Sequence, residues 1–116
     1  MHNVKKLKLW EKTIDLTVDL YKATAEFPKE EKYGLTSQMR KCAVSIPSNI
    51  AEGAGRNTKG EFNQFLGYVN GSAYELMTQI IVANRLDLMS EKESEPILAE
   101  LESIQKMTCN LQLTLK

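Results

Sequence analysis

Histidine is almost missing from this chain of 116 residues: His2 is the only one. It lies on a terminus expected to fray, so a Ser-His-Asp triad or a histidine-rich metal site has no members to draw on. The cysteines are two, Cys42 and Cys109, with no CxxC spacing. Both fall among apolar residues in helical patterns and are expected as buried, reduced thiols of a cytoplasmic protein. Apolar runs are short, as in Ile80-Ile81-Val82-Ala83, whereas a membrane span needs about 20 residues. Met1-His2-Asn3-Val4-Lys5-Lys6 has the charge of a signal peptide with no apolar stretch behind it. Net charge is absent as well, with Lys+Arg 15 against Asp+Glu 15. That excludes nucleic-acid binding by bulk charge, which needs uncompensated cations, and disorder driven by charge. No phosphate-cradling or dinucleotide glycine pattern occurs. No cofactor, metal ion or membrane partner is expected.

What the chain has is helical periodicity, four times over, with no sustained strand alternation. Its 42% hydrophobic content suits one globular domain over residues 1–116. The first segment, about 8–27, carries Leu7, Trp10, Ile14, Val18, Tyr21 and Ala25 in steps of three and four, flanked by Leu9, Leu16, Leu20 and Phe27. Phe27-Pro28 closes it. The second, about 35–55, carries Leu35, Met39, Cys42, Ile46, Ile50 and Gly53. Pro47 sits inside it and removes one backbone donor. Either two helices meet there or one helix is kinked; the unbroken phase of Cys42, Ile46 and Ile50 favours one kinked helix. The third, about 58–88, opens on a capping box at Thr58 and Glu61. It carries Phe62, Phe65, Val69, Ala73, Leu76, Ile80 and Ala83, and a second stripe of Leu66, Met77, Ile81 and Leu88. More than one of its faces is therefore apolar, which suggests contact beyond its own bundle. The fourth, about 91–115, carries Ile97, Leu101, Ile104, Leu111 and Leu115. Ser90 and Glu93 form one capping box, and Ser94-Glu95-Pro96 offers a competing start. Short connections make neighbouring helices antiparallel. The expected fold is all-α, an up-down-up-down antiparallel four-helix bundle.

Polar residues are unevenly placed. Residues 1–60 hold eleven cations against seven carboxylates, and residues 61–116 hold four against eight. Solvated faces and helix-end acids account for much of this; an assembled basic surface is the sharper reading. Ser45, Asn49, Glu52 and Arg56 fall on one ribbon of the second segment. Glu52 and Arg56 stand in favourable order for an ion pair. Ser48 and Asn49 are placed to satisfy carbonyls freed by Pro47. The third segment answers with Gly67, Gly71, Ser72 and Glu75. Two mid-helix glycines cost about 2 kcal/mol relative to alanine, which close helix packing would offset. Ser72 and Glu75 lie within reach of Arg40, Arg56 or Asn49. Glu52 and Glu75 would suit an acid–base pair or a di-metal site if they faced each other. No Glu-x-x-His motif supports that, so a structural polar network is the expected role of these residues. Trp10 and Tyr21 read as core or interface anchors.

Tyr33-Gly34-Leu35-Thr36-Ser37-Gln38-Met39-Arg40-Lys41, then Ser45-Ile46-Pro47-Ser48-Asn49-Ile50-Ala51-Glu52-Gly53, then Arg56, Glu61-Phe62, Gly71-Ser72 and Glu75-Leu76 resemble the bacterial "four helix bundle protein" family. Its members include proteins encoded by intervening sequences in the large-subunit ribosomal RNA gene, and the accessory protein of diversity-generating retroelements is a relative. The resemblance runs from Leu7-Lys8-Leu9-Trp10 into the last helix. It implies a four-helix bundle that assembles with itself into a ring-like homopentamer, with no established enzymatic activity. The family often has arginine where Lys41 stands and alanine where Cys42 stands. The retroelement branch is similar to a basic barrel that binds nucleic acid, whereas this chain has zero net charge and a pI near 6.6. A non-enzymatic homo-oligomeric scaffold is the expected function. An RNA-associated protein is the alternative, with Lys5, Lys6, Lys8, Lys12, Arg40, Lys41, Arg56 and Lys59 as the candidate nucleic-acid-binding residues.

Overall fold

The computed structural model describes residues 2–116, and among them it contains helices and no strand. Four long helices run in order: α1 Lys8–Thr24, α2 Leu35–Ala54, α3 Lys59–Arg85 and α4 Glu91–Thr114. Short 3-10 turns precede α1 at Val4–Lys6 and fill the α1–α2 connection at Lys29–Glu31. Each helix packs against its chain neighbour, and α1 against α4 closes the ring, with the α2–α3 contact the most extensive. This is the up-down arrangement that short connections dictate. The long axis measures 43 Å against 24 and 20 Å across.

The helix ends show why each element stops. At the start of α4 the Ser90 hydroxyl accepts from the Glu93 amide, and the Glu93 carboxylate accepts from the Ser90 amide. That box prevails over the start at Ser94. Pro96 is left in the second turn of the helix, on the exposed side, where water can reach the carbonyl that loses its donor. At α3 the box is half made: the Thr58 hydroxyl accepts from the Glu61 amide at 3.1 Å, but the Glu61 carboxylate takes the Thr58 hydroxyl instead of its amide. The far end of α3 stops at Arg85, because Asp87 turns left-handed with φ 61°. The Asp87 amide then donates to Asn84 O and the Leu88 amide to Ala83 O, a Schellman closure on aspartate where glycine is usual. α1 ends at Thr24, three residues before the expected Phe27, through tightened bonds from Ala25 to Lys22 and from Phe27 to Thr24.

One core fills the bundle. Leu16, Leu20, Met39, Ile46, Ile50, Phe62, Leu76 and Ile104 are among its fully buried side chains, each worth about 1.5–3 kcal/mol in burial. The expected stripes of α2 and α4 match. The stripe of α1 is rotated: Leu9, Thr13, Leu16, Leu20 and Thr24 face inward, while Val18, Tyr21 and Ala25 are exposed. Threonine is what makes that face passable. The Thr13 hydroxyl donates to Trp10 O at 2.6 Å and the Thr24 hydroxyl to Leu20 O at 2.9 Å, so each presents its methyl to the core with its polar atom satisfied. In α4 the buried Thr108 does the same with Ile104 O.

Pro47 lies inside a single continuous α2. The carbonyl it deprives of a donor is that of Ala43, four residues back. Neither Ser48 nor Asn49 serves it: Ser48 is exposed, and Asn49 donates to Ser45 O at 2.7 Å. The donor comes from α1, where the Thr17 hydroxyl reaches Ala43 O at 3.2 Å while also bonding Thr13 O at 2.8 Å.

Gly67 and Gly71 do not mediate close packing within the chain. A Cβ at either would meet nothing within 4 Å, and both are exposed. The close approach is at Gly53, where a Cβ would lie 2.7 Å from Phe65 Cβ and 3.0 Å from Phe62 Cδ1. Only a residue without a side chain lets α2 rest on α3 at that point.

Candidate functional site: a polar groove between α2 and α3

Helical spacing of three and four on two antiparallel helices brings Gln38, Lys41, Cys42 and Ser45 of α2 opposite Ser72, Glu75 and Gln79 of α3. Together they line a groove of about 480 Å3. No aliphatic or aromatic side chain lines it. Its floor is a short hydrogen-bonded chain. The Cys42 thiol donates to Ser72 O at 3.1 Å and faces Glu75 Oε2 at 3.5 Å. The Ser45 hydroxyl donates to Cys42 O at 2.5 Å, and the Ser45 and Ser72 hydroxyls bond to each other at 2.9 Å. Burial, with the Glu75 carboxylate close by, pushes the Cys42 thiol up to about 12. It therefore stays protonated and is no nucleophile at neutral pH.

The expected polar network is thus split. Ser45, Ser72 and Glu75 meet in the groove. Asn49 joins only through the Ser45 carbonyl. Arg40 turns away to α1: it donates to Thr24 Oγ1 at 2.9 Å and Tyr21 O at 3.1 Å, with its guanidinium 4.6 Å from the Tyr21 ring. Arg56 pairs with Glu52 at 3.4 Å and lies over the Phe65 ring at 4.8 Å, in the open. Glu52 and Glu75 do not face one another. Glu75 stands against Cys42, and Glu52 lies ten residues further along α2, about 15 Å at the helical rise. That separation defeats an acid–base pair or a shared metal. No cluster of three His, Cys, Asp or Glu able to hold a metal ion exists among the described residues. Gln38, Lys41 and Gln79 also line the groove and lie outside the expected polar network. The spacing Gln38-Lys41-Cys42-Ser45 on α2 signals the first two, and Ser72-Glu75-Gln79, three and four apart on α3, signals the third.

The candidate basic residues fall into separate groups. Lys12 is bound to Glu100 at 2.6 Å, tying α1 to α4. Arg40 pins α1 to α2, and Lys41 belongs to the groove. The remainder gather at one end. There the His2 amide donates to Ala54 O at 2.8 Å, and the His2 ring meets the Phe62 ring edge-on at 4.9 Å. This brings Lys5, Lys6 and Lys8 to the end that carries Arg56 and Lys59. The acids there are Glu11 in the first turn of α1, Glu52, which pairs with Arg56, and Glu61, which accepts from the Thr58 hydroxyl. Cys109, expected buried, is exposed on α4, because Thr108 takes the inward position beside it.

Residues 5–110 match the family described as 23S rRNA-intervening sequence protein. The chain belongs to that family. Its fold agrees with the crystal structure of a protein of unknown function from the S23 ribosomal protein family of Bacteroides thetaiotaomicron VPI-5482. The TM-score is 0.80 at 18% identity, covering 89% of this chain and 96% of that one. At that identity the likeness concerns the fold alone. No curated protein matches. Several motif residues that carry the family resemblance (Gln38, Lys41, Ser45, Ser72 and Glu75) are the ones that line the α2–α3 groove. No helix among the described residues is long and apolar enough to cross a membrane.

Proposed function

We propose that this family member is a non-enzymatic, cytoplasmic scaffold that assembles with copies of itself, as a pentamer by its family resemblance. The observation that carries the reading is the outward face of α3. Between Glu61 and Arg85 the helix has one charged residue, Glu75, over about six turns. Its exposed positions include Gly67, Tyr68, Gly71, Tyr74, Ile81 and Val82. A helix face that meets only water normally carries charge. Depletion of charge with exposed tyrosine is the composition of an interface core, and the glycines leave room for a second backbone. Light scattering on the size-exclusion peak of the untagged protein tests it. A mass several times 13.1 kDa with a protein-like 260/280 nm ratio is the expected result. A monodisperse 13.1 kDa species at tens of micromolar would defeat it.

A second reading, RNA association, is favoured by the basic end. Lys5, Lys6, Lys8, Arg56 and Lys59 outnumber the three carboxylates at that end, Glu11, Glu52 and Glu61. In a ring these ends would align and present a patch that zero net charge conceals. A 260/280 nm ratio that falls after nuclease or high salt would support RNA as a ligand. Salt-sensitive binding should weaken when Lys5 and Lys6 become glutamine; binding indifferent to that change would end this reading.

A further inference from the structure

We infer that the α2–α3 groove binds a small zwitterionic solute with a primary ammonium and a carboxylate, the chemistry of a free α-amino acid. The groove holds two opposite charges that do not pair with each other. Lys41 stands on α2 and Glu75 on α3, both facing the same space. Among the described residues the ion pairs within 4.0 Å are Lys12–Glu100, Arg56–Glu52 and Lys106–Glu102. A simple anion would be drawn to Lys41 and repelled by Glu75, and a simple cation the reverse. A zwitterion satisfies both.

Gln79 fixes which end goes where. Its Oε1 is buried and has no hydrogen-bond donor, a state that buried polar atoms rarely keep. Gln79 follows Glu75 by one helical turn, so the two side chains are neighbours on α3. An ammonium beside Glu75 gives that carboxylate a counter-charge, and a turn of the Gln79 amide toward the groove brings its Oε1 onto the same ammonium. The carboxylate of the same molecule then faces Lys41 across the groove, above the Ser45 and Ser72 hydroxyls. The volume of about 480 Å3 lies in the usual range for small-molecule sites. The Cys42 thiol, protonated at neutral pH, adds no charge to the floor, and the site binds without reacting. Every group it uses belongs to one chain, but Glu75 also borders the α3 face read above as the subunit contact, so the titration below is run on the parent and on a Gly71→Lys/Val82→Lys variant that leaves that face uncovered.

The test is a 15N NMR titration of the intact protein with each of the twenty free amino acids. The best binder is then repeated as its N-acetyl and its carboxamide forms, and with the Lys41→Met and Glu75→Gln variants. Saturable shifts confined to amides around residues 38–45 and 72–79 are expected for the free zwitterion. Acetylation and Glu75→Gln should each weaken binding at least about tenfold by removing the ammonium contact. The carboxamide and Lys41→Met should do so by removing the other. Both variant positions are exposed, and the capped ligands probe the same contacts on unaltered protein. The inference is overturned if no amino acid gives saturable groove shifts up to about 20 mM. It is also overturned if the shifts lie elsewhere, or if capped forms bind as well as the free ones.

Discussion

Replacing Thr17 by valine should destabilise the protein by about 1–2 kcal/mol, and the reason is a proline on another helix. Pro47 has no amide hydrogen, so Ala43 O lacks its helical donor. Ala43 is fully buried, which keeps water from substituting. The Thr17 hydroxyl fills the gap at 3.2 Å. Valine has nearly the shape of threonine and keeps the packing, but it leaves Ala43 O unpaired, a loss of about 1–3 kcal/mol. The lower part of that range applies because the hydroxyl shares its one proton with Thr13 O. Thr13 O retains its backbone donor within α1, so it adds little to the loss. In a Pro47→Ala background the new amide reaches Ala43 O, and Thr17→Val should then cost close to nothing. The double-mutant cycle removes whatever Pro47→Ala does by itself to helix propensity and packing. Urea unfolding at one fixed protein concentration reads it, with an expected coupling of about 1–2 kcal/mol. Equal costs of Thr17→Val in the two backgrounds would refute the account of how α2 carries a proline.

The glycines should divide by sign. Gly53→Ala is destabilising by about 1–3 kcal/mol despite better helix propensity, because its Cβ would meet Phe65 Cβ at 2.7 Å, and a Cβ cannot swing aside. Gly67→Ala and Gly71→Ala meet open space and should each raise the stability of the unassembled chain by about 0.5–1 kcal/mol; stabilisation by Gly53→Ala would refute the close contact. One thiol per chain, Cys109, should react rapidly with a maleimide at pH 8, and Cys42 should react only on unfolding; two equally fast thiols would contradict the burial of Cys42. Because the folded thiol of Cys42 is raised from 9.0 to about 12, its protonated form favours the folded state. That contribution is complete below pH 9 and is lost as pH rises toward 12. Cys42→Ala should therefore flatten part of the alkaline fall in stability, and an unchanged slope would contradict it.

The helices were legible because their apolar spacing and caps are local. Leu35 to Ile50 and Ile97 to Ile104 keep phase along the chain, and Ser90 with Glu93 marks a start without reference to anything distant. Apart from the inward threonines, whose partners are on their own helix, the differences arise where the deciding partner lies on another helix. Thr13, Thr24 and Thr108 counted as polar until their hydroxyls were seen bonded to the preceding turn, and this turned the face of α1. Gly67 with Gly71 suggests a packing seam by sequence; the facing helix decides that role, and it stands against Gly53 instead. The groove was half visible. Ser45, Ser72 and Glu75 stood out as polar residues among apolar ones. Gln38, Lys41 and Gln79 joined them only once the register of α2 against α3 was known. Arg40 and Lys12 were grouped with other cations by sequence and separated by their partners, Tyr21 and Thr24 for one and Glu100 for the other.

The role proposed for the outward face of α3 is tested most directly by placing charge on it and weighing the result. Gly71→Lys and Val82→Lys together occupy exposed positions, one of them facing open space, so the four-helix fold should be retained by circular dichroism. Light scattering at matched concentration should give a multiple of 13.1 kDa for the parent and a single-chain mass for the variant. An assembly that survives both lysines, with its mass unchanged, would contradict the assignment of that face as the subunit interface.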